Sequence, residues 1–203
     1  LRTVAEHYGP LQIIAEQYGP DHCRTTHTRR QGIPVNITIP ATLSAARHEG
    51  LAALLIDVIN AGGSVGFFAP LQQETAREYW HQVEAEMESG LVLFIAEMDG
   101  VIVGSVQLAP SPKANGQHRA EVRKLITHTG YRGKGIASRL MQAVEEHARA
   151  CGKTLLVLDT HLGRPAEGIY QHLGWTRVGV IPDYAAGTDG SLHATVVFYK
   201  QLA

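Results

Sequence analysis

Residues 120–160 constrain this chain more than any other stretch. Ala120–Thr127, after the polar loop Ser111–His118, reads as a strand. Gly133–Gly135 then opens a helix predicted to reach Ala150, with Ile136, Leu140, Val144 and Ala148 on one face and Gly152 as its stop. Thr154–Thr160 is a continuous apolar strand containing Asp159. Strand, helix and strand in that order make a crossover, and a crossover joins parallel neighbours. The fold must therefore hold a locally parallel pair.

The rest of the pattern places that pair in a mostly antiparallel sheet. Leu91–Glu97 and Val101–Leu108 flank Met98, Asp99 and Gly100, and Asp-Gly between two apolar runs signals a hairpin. Upstream, Val35–Ile39 reads as a strand, and Ser44 as the N-cap of a helix to Asn60 with Leu51, Leu54, Leu55, Val58 and Ile59 on one face. Gly62 and Gly63 end it, and a loop over Ser64–Pro70 carries Phe67 and Phe68. A second helix is predicted over Leu71–Glu88, with Ala76, Trp80, Val83 and Met87 inward and Glu74, Glu78, Glu84 and Glu88 on a solvated face. Downstream come a short helix over Pro165–Leu173 and strands over Thr176–Ile181 and Thr195–Gln201. The expected class is α/β: a mixed, mostly antiparallel, twisted sheet with a central parallel pair, flanked by about four helices.

At roughly 150 residues per domain, 203 residues make about one domain. We expect it over residues 36–203, preceded by an arm over 1–35. The arm holds a near-repeat, Ala5–Pro10 and Ala15–Pro20, whose Gly-Pro steps interrupt helices, then Arg24, Arg29 and Arg30. It reads as flexible or loosely docked, with contact to a second copy in a homodimer as its functional alternative.

Composition removes several function classes. Lys and Arg total 18 against 19 Asp and Glu, a net charge of −1, so the chain lacks the basic excess that grips nucleic acid. Its apolar runs are too short to span a bilayer, and no basic stretch followed by an apolar segment opens it; a cytoplasmic protein that binds no membrane is expected. Two cysteines make no disulfide framework, and the 11 histidines show no metal-binding spacing, so no metal is expected.

Arg132–Ala137 carries the strongest chemical signal. Glycines let backbone approach a ligand closely, the N–H groups of a helix's first turn point outward, and the helix dipole adds positive potential. Arg132 and Lys134 add full charges, so the segment reads as a cradle for phosphate oxygens. A P-loop needs Ser or Thr after Gly-Lys, and here Gly135 follows Lys134. A dinucleotide fingerprint needs a third glycine where Ser138 stands, and too little chain follows for a doubly wound sheet.

Arg132, Gly135 and Ala137, after Val122, Leu125 and Thr127, resemble the acetyl-CoA motif of the GNAT superfamily of N-acetyltransferases. Ala166, Tyr170, Gly174 and Trp175 resemble its second motif. The resemblance covers roughly 37–203. Stretches 62–67, 119–122, 158–160, 177–179 and 189–193 are further similar to the tabtoxin-resistance acetyltransferase branch.

That resemblance implies acetyl-CoA as co-substrate. Arg132, Gly133, Lys134, Gly135, Ile136, Ala137 and Ser138 would hold its pyrophosphate. Leu125, Ile126 and Thr127 would pair with the pantetheine arm where two strands splay, and Ala166 and Tyr170 would complete the site. Tyr170 matches the tyrosine that protonates the leaving thiolate. Gly163 stands where the superfamily often has Asn, with the loss of one polar contact to CoA. An alkyl ammonium must lose a proton before it attacks, so a base, or a water chain to one, is needed, and the carboxylates Glu121 and Asp159 are the candidates. Glu121 is preferred as base and Asp159 as substrate anchor; Phe67, Phe68, Tyr184 and the 182–190 loop would wall the acceptor pocket. Cys151 and Cys23 show no base partner, which favours direct transfer over a covalent route. The expected activity is N-acetylation of a small toxic amine or antibiotic; the alternatives are an aminoglycoside-type or protein/peptide acetyltransferase and a non-catalytic acyl-CoA sensor.

Overall fold

The computed structural model describes residues 35–202 other than 188, together with two short strands upstream. The elements run β1 (Gln12–Ile14), β2 (Thr26–Thr28), β3 (Asn36–Thr38), α1 (Ala45–Asn60), α2 (Gln73–Glu88), β4 (Val92–Met98), β5 (Val101–Pro110), β6 (Arg119–Thr127), α3 (Ile136–Ala150), β7 (Leu155–His161), α4 (Ala166–His172), β8 (Thr176–Ala186) and β9 (Leu192–Gln201). The described strands form one sheet ordered β1-β2-β3-β4-β5-β6-β7-β9-β8. Every described neighbour is antiparallel except β6 and β7, the pair joined by α3. β1 and β2 extend the sheet beyond β3; the rest of the expected arm, with its near-repeat, arginines and Cys23, lies outside the described residues.

Local chemistry accounts for the element ends. Ser44 has extended backbone and its hydroxyl accepts from the Arg47 N–H, satisfying one of the donors that α1 leaves open. Asp99 and Gly100 both take positive φ, 50° and 78°, the geometry of a type I′ turn whose twist matches the hairpin it closes.

Two apolar layers hold the sheet. On one face Leu51, Leu55 and Ile59 of α1 and Ala76, Trp80 and Val83 of α2 pack on Leu93, Ile95 and Ile126. On the other, Ile136, Leu140, Val144 and Ala148 of α3 pack on Phe94, Val103, Val122, Leu156 and Phe198. α3 lies so close that a Cβ on Gly104 would sit 3.0 Å from both the Ile126 carbonyl oxygen and Ile136. That approach requires glycine.

Two polar ties join distant elements, and the first corrects the sequence reading. Glu84 is no solvated glutamate: its carboxylate accepts from the Leu43 N–H (2.7 Å) and pairs with His48 Nε2 (2.8 Å), joining α1 to α2. These contacts hold its carboxyl below the usual carboxylate range. Glu145, on the inner face of α3, accepts from Trp175 Nε1 and Lys200 Nζ, fixing the end of α4 to β9.

The 182–190 segment is also more regular than a loop. β8 continues to Ala186 through Pro182 and Asp183, with a register shift between Ile181 and Ala185. β8 is the outer strand, and an edge tolerates a proline that an inner strand would not. No described helix is long and apolar enough to cross a membrane.

Candidate active site

β6 and β7 pair through three rungs only: Arg119 with Leu155, Ala120 with Leu156 and Glu121 with Val157. Beyond them the strands separate, and a cavity of about 800 Å³ opens between them. Residues 121–127 of β6 line it, with the α1–α2 connection (61–66) on one side and Asp159, Thr160, Tyr170 and Thr195 on the other.

The separation follows from a bulge in β6. Ser105 faces Ile126 and Gln107 faces Arg123, so Lys124 and Leu125 together oppose Val106. Lys124 takes the positive φ, 52°, that absorbs the extra residue. The sequence carried a trace of this: Ala120 and Val122 alternate inward, and Lys124 breaks the alternation.

At the mouth of the cavity, Gly135 begins α3 in left-handed conformation (φ 74°) with no side chain capping the helix. The first helical bond runs from the Arg139 N–H to the Gly135 carbonyl (3.1 Å), so the N–H groups of Ile136, Ala137 and Ser138 have no acceptor within the helix. Arg132, Gly133 and these first-turn residues line the cavity. Lys134 does not: its ammonium sits 4.7 Å from the centre of the Tyr131 ring. A second tie escaped sequence reading. Asp57 of α1 accepts from both the N–H and the hydroxyl of Thr129 (2.7 Å each), clamping the turn that leads into the cradle.

Of the expected chemical groups, Tyr170, Glu121 and Asp159 all line the cavity. Tyr170 is 5% exposed, and burial, with the Asp159 charge nearby, pushes its phenol well above the ordinary tyrosine range. It therefore stays a protonated O–H donor at any ordinary pH. Glu121 Oε2 is paired with Arg123 (2.8 Å). Asp159 Oδ2 accepts from the Thr195 hydroxyl (2.8 Å).

Leu125, Ile126, Thr127 and Ala166, expected against acetyl-CoA, line the cavity. The expected acceptor walls fare unevenly, and of them Tyr184 lines it. Phe67 packs edge-on against Tyr79 (5.2 Å between ring centres) behind the lining, and Phe68 is 58% exposed. The walls on that side are instead the 61–66 backbone and Lys124.

Two other clusters lie apart from the reaction. Ser191 donates to Asp189 (2.6 Å) and lies 3.0 Å from His193 Nε2. The carboxylate holds the serine rather than orienting the imidazole, so the trio braces the β8–β9 turn and activates no nucleophile. Cys151 Sγ lies 3.4 Å from His147 Nε2, but Cys151 is disulfide-bonded and offers no free thiol for that imidazole to activate. Both are at the end of α3 away from the cradle, about 16 Å (His147) and about 22 Å (Cys151) down a helix rising about 1.5 Å per residue.

Residues 64–175 match the acetyltransferase (GNAT) family. An uncharacterised N-acetyltransferase of Azospirillum brasilense is 41% identical over 121 residues, 58% of this chain and 70% of its own. Among solved structures, an N-acetyltransferase from Staphylococcus aureus Mu50 superposes with TM-score 0.69 at 19% identity, covering 83% of this chain and 99% of that one. The yncA protein of Salmonella typhimurium, solved with acetyl-CoA as its cofactor, superposes with TM-score 0.66 at 17% identity over 82% and 94%.

Proposed function

Because this chain belongs to the acetyltransferase (GNAT) family and is an N-acetyltransferase using acetyl-CoA, we propose that its acceptor is a small toxic amine or antibiotic, detoxified by acetylation as in the tabtoxin-resistance branch. The observation that carries a small acceptor is the cavity itself, bounded by the 61–66 backbone, β6, β7 and Tyr184, with acids at Glu121 and Asp159.

The residues present fit acetyl-CoA. The uncapped first turn of α3, with Arg132 beside it, suits a pyrophosphate. Past Glu121 the side of β6 that faces β7 carries no strand pairing and offers backbone groups to an extended chain. When bound there, acetyl-CoA would supply an activated acyl carbon; a carbon–nitrogen bond forms as the carbon–sulfur bond breaks, and an ammonium acceptor gives up two protons, one released to solvent by way of a base and one that replaces the hydrogen given to sulfur.

In this reading Asp159 holds the acceptor ammonium at the gap. Glu121 takes the proton that frees the amine's lone pair; Arg123 engages its Oε2 and leaves Oε1 outside that pair. Tyr170 donates its hydroxyl hydrogen to the departing sulfur. The test is thiol release with Glu121→Gln across a panel of amino-acid toxins, aminoglycosides, polyamines and short peptides. Turnover should fall on the order of a hundredfold with acetyl-CoA affinity retained. Unchanged turnover at neutral pH would remove Glu121 from the mechanism, and acetylation of peptides alone would sink the small-molecule reading.

A further inference from the structure

We propose that Lys124 is a specificity-determining residue that reads a carboxylate on the acceptor, so that the preferred acceptor is an amino acid or amino-acid-like zwitterion with its ammonium at Asp159 and its carboxylate at Lys124. The inference rests on the acetyltransferase reading above and narrows its substrate class.

Charge accounting around the cavity leads there. Arg123 pairs with Glu121 (2.8 Å), so these two charges answer one another, and it also comes within 4.0 Å of Glu86, which does not line the cavity. Lys124 and Asp159 line the same cavity and form no ion pair with any described residue. Asp159 has a neutral hydroxyl, Thr195, as its partner. Lys124 has a neutral carbonyl, that of Val65, and its ammonium lies about 6 Å from the ring centres of Phe67 and Tyr79 (5.8 and 6.0 Å). Arg132 and Arg164 also line the cavity without an ion pair among the described residues, Arg132 beside the first turn of α3 and Arg164 just ahead of α4; within the gap between β6 and β7, Lys124 and Asp159 are the charges left without an opposite partner.

Their placement suits a zwitterion. Lys124 lies three residues beyond the last rung of the β6–β7 ladder on one strand, and Asp159 two residues beyond it on the other. Leu156 and Leu158 pack into the α3-side core, so Asp159 projects to the opposite face of the sheet. Lys124 reaches that face too, where Val65, Phe67 and Tyr79 meet it. The two charges therefore flank one gap on one side of the sheet.

Burial makes the arrangement directional. It holds the Lys124 ammonium below the ordinary lysine range, against the pull of Asp159 and Glu121. A half-buried ammonium with only a carbonyl and aromatic rings beside it gains strongly from an incoming carboxylate, because charge-assisted hydrogen bonds are the strong ones. The bulge fixes the residue there, since φ of 52° aims its side chain off the strand's alternation.

The test compares matched acceptors with acetyl-CoA: L-methionine, L-methioninamide and 3-(methylthio)propylamine, with the L-glutamine, β-alanine and 4-aminobutyrate counterparts. We expect kcat/KM to favour carboxylates over their amides and decarboxylated amines by on the order of ten- to a hundredfold. Lys124→Met should collapse that ratio mainly through KM, Lys124→Arg should retain it, and Lys124→Glu should invert it towards the uncharged-end amines. Acetyl-CoA binding and thermal unfolding check that each variant is folded. Equal or better use of the amides by the wild type, or an undiminished ratio in Lys124→Met, would overturn the proposal while leaving the acetyltransferase reading intact. If no amine in the set is acetylated although acetyl-CoA binds, the small-amine reading falls and this one falls with it.

Discussion

Tyr170 shows how burial sets a residue's chemistry. Packed against Trp175 and Phe198, it is kept protonated by desolvation. Its folded-state pKa is raised, so the proton is present at all pH values below the ordinary phenol range and leaves only above it. Tyr170→Phe removes the hydrogen but little packing, and we expect turnover to fall at least about tenfold with unchanged acetyl-CoA affinity. The wild-type rate profile should show no loss attributable to this phenol up to about pH 10. Equal rates for the two proteins would mean that the sulfur is protonated by something else. That Tyr170, Asp159 and Glu121 would face one cavity could be expected from the family resemblance and from their places on β6, β7 and α4. That Lys124 would could not, because its position depends on a bulge that shifts side-chain alternation by one.

At the scale of elements, the helices and the hairpin followed from periodicity and turn chemistry, since Ser44, Asp99 and Gly100 act on their own neighbours. Ties between distant elements did not. Nothing local in α2 distinguishes Glu84 from Glu88, and only the pairing of α1 with α2 brings it to Leu43 and His48. The end of β8 was shortened in the sequence reading by Pro182, which an outer strand accommodates. The Glu84 tie has a pH signature. A carboxyl with a depressed folded pKa stabilises the protein above its unfolded pKa, near 4.3, and that contribution is lost as pH falls through the folded value. The side chain is 31% exposed, so we expect Glu84→Ala to cost about 1 kcal/mol at pH 7. Urea unfolding should show the deficit shrinking below pH 4; a deficit that persists undiminished at pH 3 would mean that the loss is one of packing.

Across the whole molecule, both apolar layers close over one sheet, yet β6 and β7 share only three rungs at its centre. The cavity and the core are therefore not independent. Acetyl-CoA bound along β6 should slow amide hydrogen exchange in residues 122–127 while leaving β4 nearly unchanged. It should also raise the unfolding free energy by mass action, by about 2.7 kcal/mol at a hundredfold excess over Kd. Uniform slowing throughout the sheet would show stabilisation without engagement of β6.

The short ladder has a mechanical meaning as well. A sheet is stiff across its hydrogen bonds, and this one is notched in the middle, with three rungs acting as the stitch between the β6 side and the β7–β9–β8 side. An extended donor lying in the notch would act as a splint, transmitting load between halves that otherwise meet at one end and through α3. The donor would then help to build the surface on which the acceptor is positioned, which gives a physical reason for donor to bind before acceptor.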